Sequence, residues 1–179
     1  ERFGRVDVLV SNAGIDCESP VADLDVDLLD RCLAVNVRAP LLLCKFALHA
    51  MVAQGTGGSI FCITSGSAKA YREGRIGYSM SKAALERMFL SLAEEVRPRN
   101  IAVNVLEPGW TDTPGERQFY SEEELKKAGA ALPLGRLGTI EENGRTVAYL
   151  CSNDADYITG QTLRMDGGFS FPDWQTQLT

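Results

Sequence analysis

Histidine, excess positive charge and paired cysteine motifs are scarce or missing in this sequence, and each shortage excludes a class of function. His49 is the only histidine, so neither a Ser-His-Asp hydrolase nor a histidine-rich metal site has its parts, and we predict no bound metal. The net charge of -6 disfavours nucleic acid and anionic membranes as partners, because like charges repel. A small neutral or modestly charged substrate remains possible.

Long apolar runs and targeting signals are also scarce. The longest apolar run, residues 41–44, stops at Lys45, far short of the roughly 20 residues that a membrane-spanning helix needs. Residues 1–4 have neither the basic start nor the apolar stretch of a signal peptide. The cysteines are odd in number and scattered, which indicates reduced packing residues in a cytoplasmic protein without a membrane partner.

The apolar residues are arranged as alternating strands and helices. With 179 residues, 45% of them hydrophobic, and no shift in composition, the chain predicts one domain over 1–179. Short β-branched runs predict strands at 6–10, 59–65, 101–106 and 161–165. Helical spacing predicts helices at 25–49, 78–97, 121–129 and 141–151. This alternation predicts an α/β fold, a doubly wound, Rossmann-like parallel sheet with helices on both faces.

Polar and glycine-containing clusters follow the four predicted strands. They lie at 12–14, 64–67, 108–113 and 166–168. In doubly wound sheets ligands bind outside the carboxyl ends of the strands, which is where these clusters lie. We therefore predict the functional site there.

Tyr78 and Lys82 open the helix that follows the second cluster. They lie about one turn apart, so both side chains are on one face of that helix. Taken alone, Tyr-x-x-x-Lys is a weak signal, which chance supplies in roughly a fifth of chains of such composition, and an exposed helical pair would explain it.

Together these features resemble the single-domain branch of the short-chain dehydrogenase/reductase family over essentially the whole chain. The family's Asn-Asn-Ala-Gly motif appears as Ser11-Asn12-Ala13-Gly14, a mild departure at Ser11, and its Tyr-x-x-x-Lys as Tyr78 and Lys82. Its remaining elements match Asn36, Ser65, the Pro-Gly loop with its threonine at 108–113, and the closing motifs at 159–161 and 166–168.

The resemblance implies an oxidoreductase that transfers a hydride between NAD or NADP and a carbonyl or secondary alcohol. It implies a catalytic site of Asn36, Ser65, Tyr78 and Lys82. The residues that it implies for the coenzyme are Asn12, Ala13, Gly14, Tyr78, Lys82, Pro108, Gly109, Trp110, Thr111 and Thr113, and those for the substrate are Ser65, Ser67, Tyr78 and Trp110. Taken alone, Ser65 could also be explained as a turn residue whose hydroxyl bonds the nearby backbone.

The implied chemistry needs a proton donor beside the reacting oxygen, and Tyr78 is that acid by resemblance. A phenol with a pKa near 10 is a poor donor at pH 7, and lowering its pKa by about three units takes roughly 4 kcal/mol. An ammonium about 4 Å away supplies a comparable free energy at an effective dielectric near 20. We therefore expect Lys82 to lower the phenol pKa, and in the family this lysine also holds the nicotinamide ribose.

Asn36 is a polar residue between two valines in a predicted helix, where it is unfavourable without a purpose. Pro40 lacks the N–H that would bond the Asn36 carbonyl, so that carbonyl is free to hold a water at a kink. This matches the family's proton relay, in which such a water is linked to the lysine. The alternative is a proline kink with Asn36 turned to solvent.

An acidic stretch at 122–124 followed by two lysines is explained most simply as a solvated helix face. In the family the same stretch lies over the substrate, so Phe119, Tyr120 and Leu125 are candidates for the wall of a lid.

The family's first strands and glycine-rich pyrophosphate turn have no counterpart before Val6, and the chain does not begin with Met. We therefore expect the chain to be the C-terminal two-thirds of one domain, with the choice between NAD and NADP not encoded in it. The substrate is open between 3-oxoacyl thioesters and glucose or other sugars. The alternative function is an inert interaction module, because family members commonly form tetramers through two long helices and the last strand; a homo-oligomer, tetramer or dimer, is expected in either case.

Overall fold

Six strands and five α-helices are present in the computed structural model, which describes residues 3–70 and 72–171. Parts of the predicted domain at Glu1, Arg2, Tyr71 and 172–179 lie outside the described residues. The strands are β1 (Val8–Ser11), β2 (Gly58–Ile63), β3 (Ile101–Pro108), β4 (Thr111–Asp112), β5 (Gly138–Thr139) and β6 (Thr162–Met165). The helices are α1 (Val26–Leu33), α2 (Ala39–Gln54), α3 (Ile76–Val96), α4 (Glu122–Ala130) and α5 (Ile140–Leu150).

The central sheet is parallel, with the order β1-β2-β3-β6, while β4 and β5 form a separate short parallel pair. One face is covered by α2 and α3, whose Met51 and Phe89 pack with Val103. The other face packs against α5, where Leu150 meets Leu106. Because both faces are covered, the strands are apolar on both sides. The doubly wound α/β fold predicted from the sequence is confirmed.

The helix predicted at 25–49 extends to Gln54 and is interrupted by a π-helical turn at Ala34–Arg38. Its start is capped by Asp25, whose carboxylate accepts hydrogen bonds from Asp27 N and Leu28 N. It ends at Gly55, whose φ of 70° places it in the left-handed region that favours glycine. The predicted end at residue 49 is wrong, because the break comes only at this glycine.

This long helix, Val26–Gln54, is the one helix among residues 3–70 and 72–171 that is long and apolar enough to cross a bilayer by length and composition alone. A core helix of a water-soluble fold meets the same criteria, and Cys44, Ala47 and Met51 are buried here. Lys45 interrupts the apolar run, as the sequence indicated, but it lies within the helix. The absence of a membrane partner stays a prediction.

All five cysteines are free thiols. Four of them are buried and Cys151 is partly buried. Burial raises the pKa of the Cys44 thiol to about 11, because the apolar surroundings disfavour the thiolate. Their prediction as reduced packing residues is confirmed.

The strand β1 lies at the edge of the sheet in the part of the chain that the structure describes, paired only with β2. Val8 and Val10 are 43% and 42% exposed. An apolar edge strand presents unpaired backbone groups beside apolar side chains, which favours pairing with another chain.

At the start of α5, Thr139 and Glu142 form a capping box that Arg136 completes. The Glu142 carboxylate accepts from Arg136 at 2.7 and 2.9 Å and from Thr139 N at 2.9 Å. These bonds, the one from Arg136 first, lower the pKa of Glu142 to about 2.

A pH-dependent stabilisation by Glu142 follows from this lowered pKa. Its contribution is fully present above the unfolded pKa of roughly 4.3 and is lost as the pH falls towards the folded value. Chemical unfolding should therefore find Glu142→Gln less stable than the parent near pH 7, with the difference shrinking below about pH 4. Glu141→Gln, an exposed neighbour in the same turn, is the control, and a difference that does not depend on pH would contradict the assignment.

Candidate active site

The turn after β1 lies against two of the predicted catalytic residues. Asn12 and Ala13 are exposed at the carboxyl end of the strand. Gly14 is so close to the helices that a Cβ there would lie 3.2 Å from Lys82 Nζ and 3.4 Å from Asn36 Oδ1. A side chain here would press on the flexible end of Lys82 and come into contact with Asn36 Oδ1, so the lysine would have to shift slightly.

Asn36 is completely buried in the π-helical turn, and its side chain joins three segments. Oδ1 accepts from Ile15 N at 2.9 Å, while Nδ2 donates to Ile15 O and Ser81 Oγ, each at 2.9 Å. Ser81 Oγ in turn donates to Tyr78 O at 2.7 Å. The alternative of an asparagine turned to solvent is therefore wrong. The amide connects the β1 turn to the helix that bears Tyr78, a use that the sequence argument about its backbone did not include.

The π-helical turn itself has a local cause. Ala39 N–H donates to Ala34 O, five residues back, and Pro40 has no N–H with which to continue the α-helical pattern. Single π-helical turns of this kind are frequent at functional sites. The turn places the Asn36 side chain towards the sheet.

Ser65 and Tyr78 lie near each other, and hydrogen bonding from Ser65 lowers the pKa of the Tyr78 phenol. Ser65 follows β2 in an extended conformation, with a φ of -166°, and its hydroxyl accepts from Ser67 N at 3.1 Å. Ser67 is buried. The serine predicted to bind the substrate oxygen therefore lies beside the tyrosine predicted to donate the proton.

Lys82 is buried beside Tyr78, with Nζ 5.6 Å from the centre of the phenol ring. Its ammonium donates to Ile63 O at 3.3 Å. Burial lowers the pKa of Lys82, because a buried ammonium loses its hydration.

The pKa of the Tyr78 phenol is raised, because burial outweighs the opposing hydrogen bond from Ser65. This direction is opposite to the lowering that the sequence predicted from Lys82. The physical reason is that burial disfavours the charged forms of both groups, and the ammonium lies over the ring with its bond directed to a backbone carbonyl.

Arg75 is a second cationic neighbour of the Tyr78 ring, and the sequence did not predict it. Its guanidinium carbon is 5.6 Å from the centre of the Tyr78 ring. It forms ion pairs with Asp16, at 3.2 Å, and with Glu18. No short motif signals these ion pairs, because Asp16 and Glu18 lie in a loop far from Arg75 in the sequence.

The loop after β3 is held against the residue that follows β6. Gly109 N donates to Met165 O at 3.0 Å, and a Cβ on Gly109 would lie 2.5 Å from the Cα of Asp166. Only glycine fits at such a distance. Two of the predicted clusters, at 108–113 and 166–168, are brought together by this contact.

The other predicted coenzyme residues of that loop bond within their own region. Trp110 Nε1 donates to Glu116 Oε2 at 2.9 Å, Thr113 Oγ1 accepts from Glu116 N at 3.1 Å, and Thr111 Oγ1 accepts from Asn143 Nδ2 at 3.1 Å. Trp110 also lines a cavity of about 300 Å³ with Leu134, Arg145 and Met165 among others, and Ser65, Tyr78 and Lys82 do not line it. None of these contacts joins Trp110, Thr111 or Thr113 to Tyr78.

The helix predicted at 121–129 is present as α4, with Ser121 and Glu124 as its capping box. Of the proposed lid residues, Leu125 is buried, Phe119 is 78% exposed, and Tyr120 contacts the Trp110 ring edge-on at 5.6 Å. Leu125 therefore packs inward, Tyr120 stays exposed while its ring contacts Trp110, and Phe119 points to solvent.

A protein-family profile described as enoyl-(acyl carrier protein) reductase matches residues 1–170, which is nearly the entire chain. The chain belongs to the short-chain dehydrogenase/reductase family. Among its curated relatives in this family is human dehydrogenase/reductase SDR family member 4, 37% identical over 167 residues. That alignment covers 92% of this chain and 60% of the relative, so the chain spans about three-fifths of the relative's length.

Two further short-chain dehydrogenases/reductases are similar over most of this chain. FabG of Buchnera aphidicola, a 3-oxoacyl-acyl-carrier-protein reductase, is 35% identical over 172 residues, covering 96% of this chain and 69% of that protein. The crystal structure of acetoin dehydrogenase from Enterobacter cloacae superposes with a TM-score of 0.86 at 37% identity, over 97% of this chain and 68% of that one. The parallel sheet and its covering helices are therefore those of the family.

Proposed function

We propose that the protein containing this chain is an NAD(P)-dependent oxidoreductase that interconverts a carbonyl and a secondary alcohol through Asn36, Ser65, Tyr78 and Lys82. The observation that carries the proposal is the buried Lys82, whose Nζ lies 5.6 Å from the centre of the Tyr78 ring and close to Gly14. A buried lysine is costly unless its charge is compensated, so it indicates a functional group. The names of the relatives as dehydrogenases and reductases support the same reaction class.

The residues at the carboxyl ends of β1, β2 and β3 fit the nicotinamide end of NAD(P). Gly14 leaves room beside Lys82, whose ammonium has three N–H donors and gives one to Ile63 O among the described residues, so the others can reach ribose hydroxyls. Asn12, Ala13 and the loop at 108–113 are the other groups that would hold the coenzyme. When bound, NAD(P) supplies or accepts the hydride.

In this proposal, Ser65 holds the substrate oxygen and Tyr78 exchanges a proton with it. Reduction leaves negative charge on that oxygen, and the phenol gives its proton there as the charge develops. Oxidation is the reverse, with the phenolate taking the hydroxyl proton. Asn36 holds the β1 turn and, through Ser81, the helix that carries Tyr78. Asn36 thus fixes the position of the β1 turn relative to the helix that carries Tyr78.

The substrate is proposed only as a small carbonyl or alcohol compound, with 3-oxoacyl thioesters and sugars as the two candidate classes. A thioester is the substrate type in the name of one relative, and a small hydroxyketone is named for one solved structure. A cytoplasmic location is part of the proposal, supported by the five free thiols.

Lys82→Ala tests the proposal in the intact protein. The change removes both the ribose donor and the charge beside the phenol, so coenzyme affinity should fall at least about tenfold and turnover should fall as well. Calorimetry with NADH and NADPH measures affinity, and coenzyme absorbance measures turnover on a panel of both substrate classes. The exposed Lys45→Ala is the control. Normal coenzyme binding in Lys82→Ala would show that this lysine has been placed wrongly.

An inert interaction module is the second candidate function, and one observation favours it. The α2 helix exposes an apolar face in which Leu41, Leu43 and Phe46 are 53%, 49% and 67% exposed. Such a face favours association with a second copy, and we propose a dimer or tetramer. Association without turnover on any of the panel would favour the module over the enzyme.

A further inference from the structure

Tyr78, near the start of α3, is flanked by two cations. Arg75, the residue just before α3, precedes Tyr78 by three positions, and Lys82 follows it by four within the helix. Each cation lies 5.6 Å from the centre of the phenol ring. This is within the range of about 6 Å over which a cation is attracted to an aromatic ring. The Tyr-x-x-x-Lys motif accounts for Lys82 and leaves Arg75 unexplained.

Arg75 is held in place by the loop that follows the β1 turn. Its guanidinium pairs with Asp16 Oδ2 at 3.2 Å and its Nε donates to Glu18. The two loops are also joined by a backbone bond from Ser19 N to Gly74 O of 2.7 Å. The Arg75 side chain is only 23% exposed, so it is fixed over the ring.

The two cations differ in how well they keep their charge. Burial lowers the pKa of Lys82, and its ammonium is bonded to Ile63 O. A guanidinium stays protonated at every pH at which proteins work. Arg75 therefore supplies the more dependable positive charge beside the phenol.

Several groups set the charge environment of the ring. Burial raises the pKa of Tyr78 most, Ser65 lowers it by its hydrogen bond, the charge of Asp16 raises it, and the charge of Arg75 lowers it. The charged and titratable groups that face Tyr78, or the Arg75 above it, are Asp16 and Glu18 of the loop after β1, Cys32 of α1, Arg75 just before α3, and Lys82 of α3.

We propose that Arg75 is a positioning residue of the active site, whose guanidinium, placed by Asp16 and Glu18, holds the Tyr78 ring and stabilises the phenolate. Its part in catalysis rests on the function proposed above. Its effect on the phenol does not require turnover and can be measured alone. The loop after β1 then governs the catalytic tyrosine as well as the coenzyme turn.

The test is a tyrosinate absorbance titration of the intact protein, with the Tyr78→Phe curve subtracted to isolate Tyr78. Arg75→Gln should move the Tyr78 midpoint to higher pH by about one unit, because the phenolate loses a nearby cation. Arg72→Gln is the matched control: it removes a guanidinium from the same loop that lies over Phe169, at 5.9 Å, instead of Tyr78. The Tyr78 midpoint in Arg72→Gln should equal that of the parent protein. A midpoint unmoved in Arg75→Gln, or moved equally in Arg72→Gln, overturns the proposal.

Arg75→Lys separates charge from shape, since it keeps the charge without the planar fork. It should move the midpoint less than Arg75→Gln does, and an equal or larger shift overturns the charge-based role. The pH profile of alcohol oxidation supplies the second readout, and its rising limb should shift to higher pH with the titration. If the midpoint shifts as expected but no variant or parent protein turns over any substrate, the proposed function fails while the placement of Arg75 stands.

Discussion

Tyr78→Phe should lower turnover of the intact protein at least about a hundredfold while changing coenzyme affinity little. The substitution removes the phenol hydroxyl and leaves the ring between Arg75 and Lys82. General acid–base catalysis by a positioned side chain contributes roughly 10² to 10⁴ in rate, and this variant forfeits that contribution alone. Steady-state kinetics and coenzyme calorimetry on the same preparation measure the two quantities.

The matched control for that experiment is Tyr157→Phe, which removes a hydroxyl from a fully exposed tyrosine. Equal thermal unfolding of the two variants would show that the loss is chemical. Unchanged turnover in Tyr78→Phe would remove Tyr78 from the proposed mechanism.

A polypeptide limited to these 179 residues should bind NADH and NADPH orders of magnitude more weakly than the intact protein. Its sequence contains no Gly-x-x-x-Gly-x-Gly turn, whose backbone amides would bind the pyrophosphate. In the proposed function, Gly14, Lys82 and the loop at 108–113 would contact only the nicotinamide end. Each 1.4 kcal/mol of binding free energy changes affinity about tenfold, so losing several kcal/mol of phosphate binding weakens coenzyme affinity by orders of magnitude.

The same polypeptide should be self-associated or poorly soluble, because Val8 and Val10 lie exposed on the edge strand β1. Calorimetry tests the binding and light scattering tests the association. Micromolar coenzyme binding by a monodisperse polypeptide would refute this account of what the pyrophosphate turn contributes.

The sheet was predictable because its signals are local. The β-branched runs and the helical spacing between them are visible in short windows, and crossovers between parallel strands then require the observed layers. The two-residue strands β4 and β5 are too short to leave such a pattern. The π-helical turn at 34–38 was indicated only by Pro40, and the helix was predicted to end at residue 49 although apolar residues continue through 50–53 towards Gly55.

At the site, the sequence predicted which residues lie together better than it predicted their contacts. Ser65 and Lys82 lie beside Tyr78 as expected, yet the side chain of Asn36 bonds Ile15 and Ser81, which no motif connects. The ion pairs of Arg75 with Asp16 and Glu18 were missed for the same reason. Such pairs are created by tertiary packing between distant segments, so a single sequence carries no local trace of them.

The buried Glu107 is another example of a contact without a local signal. It is 1% exposed at the end of β3 and accepts hydrogen bonds from Lys69 and, at 2.6 Å, from Arg164. A carboxylate in an apolar strand predicts only that some cation will be near. Which cation it is depends on how β6 and the segment after Ser65 fold back onto β3.

The close contact of Gly109 with Asp166 has a consequence for biosynthesis. The ribosome adds Gly109 long before Met165, whose carbonyl accepts a hydrogen bond from Gly109 N. Until Met165 is added, the loop at 108–113 lacks this backbone partner. A nascent chain that stalls before Asp166 therefore cannot acquire this loop geometry, so the loop takes up its final position only after β6 has been translated.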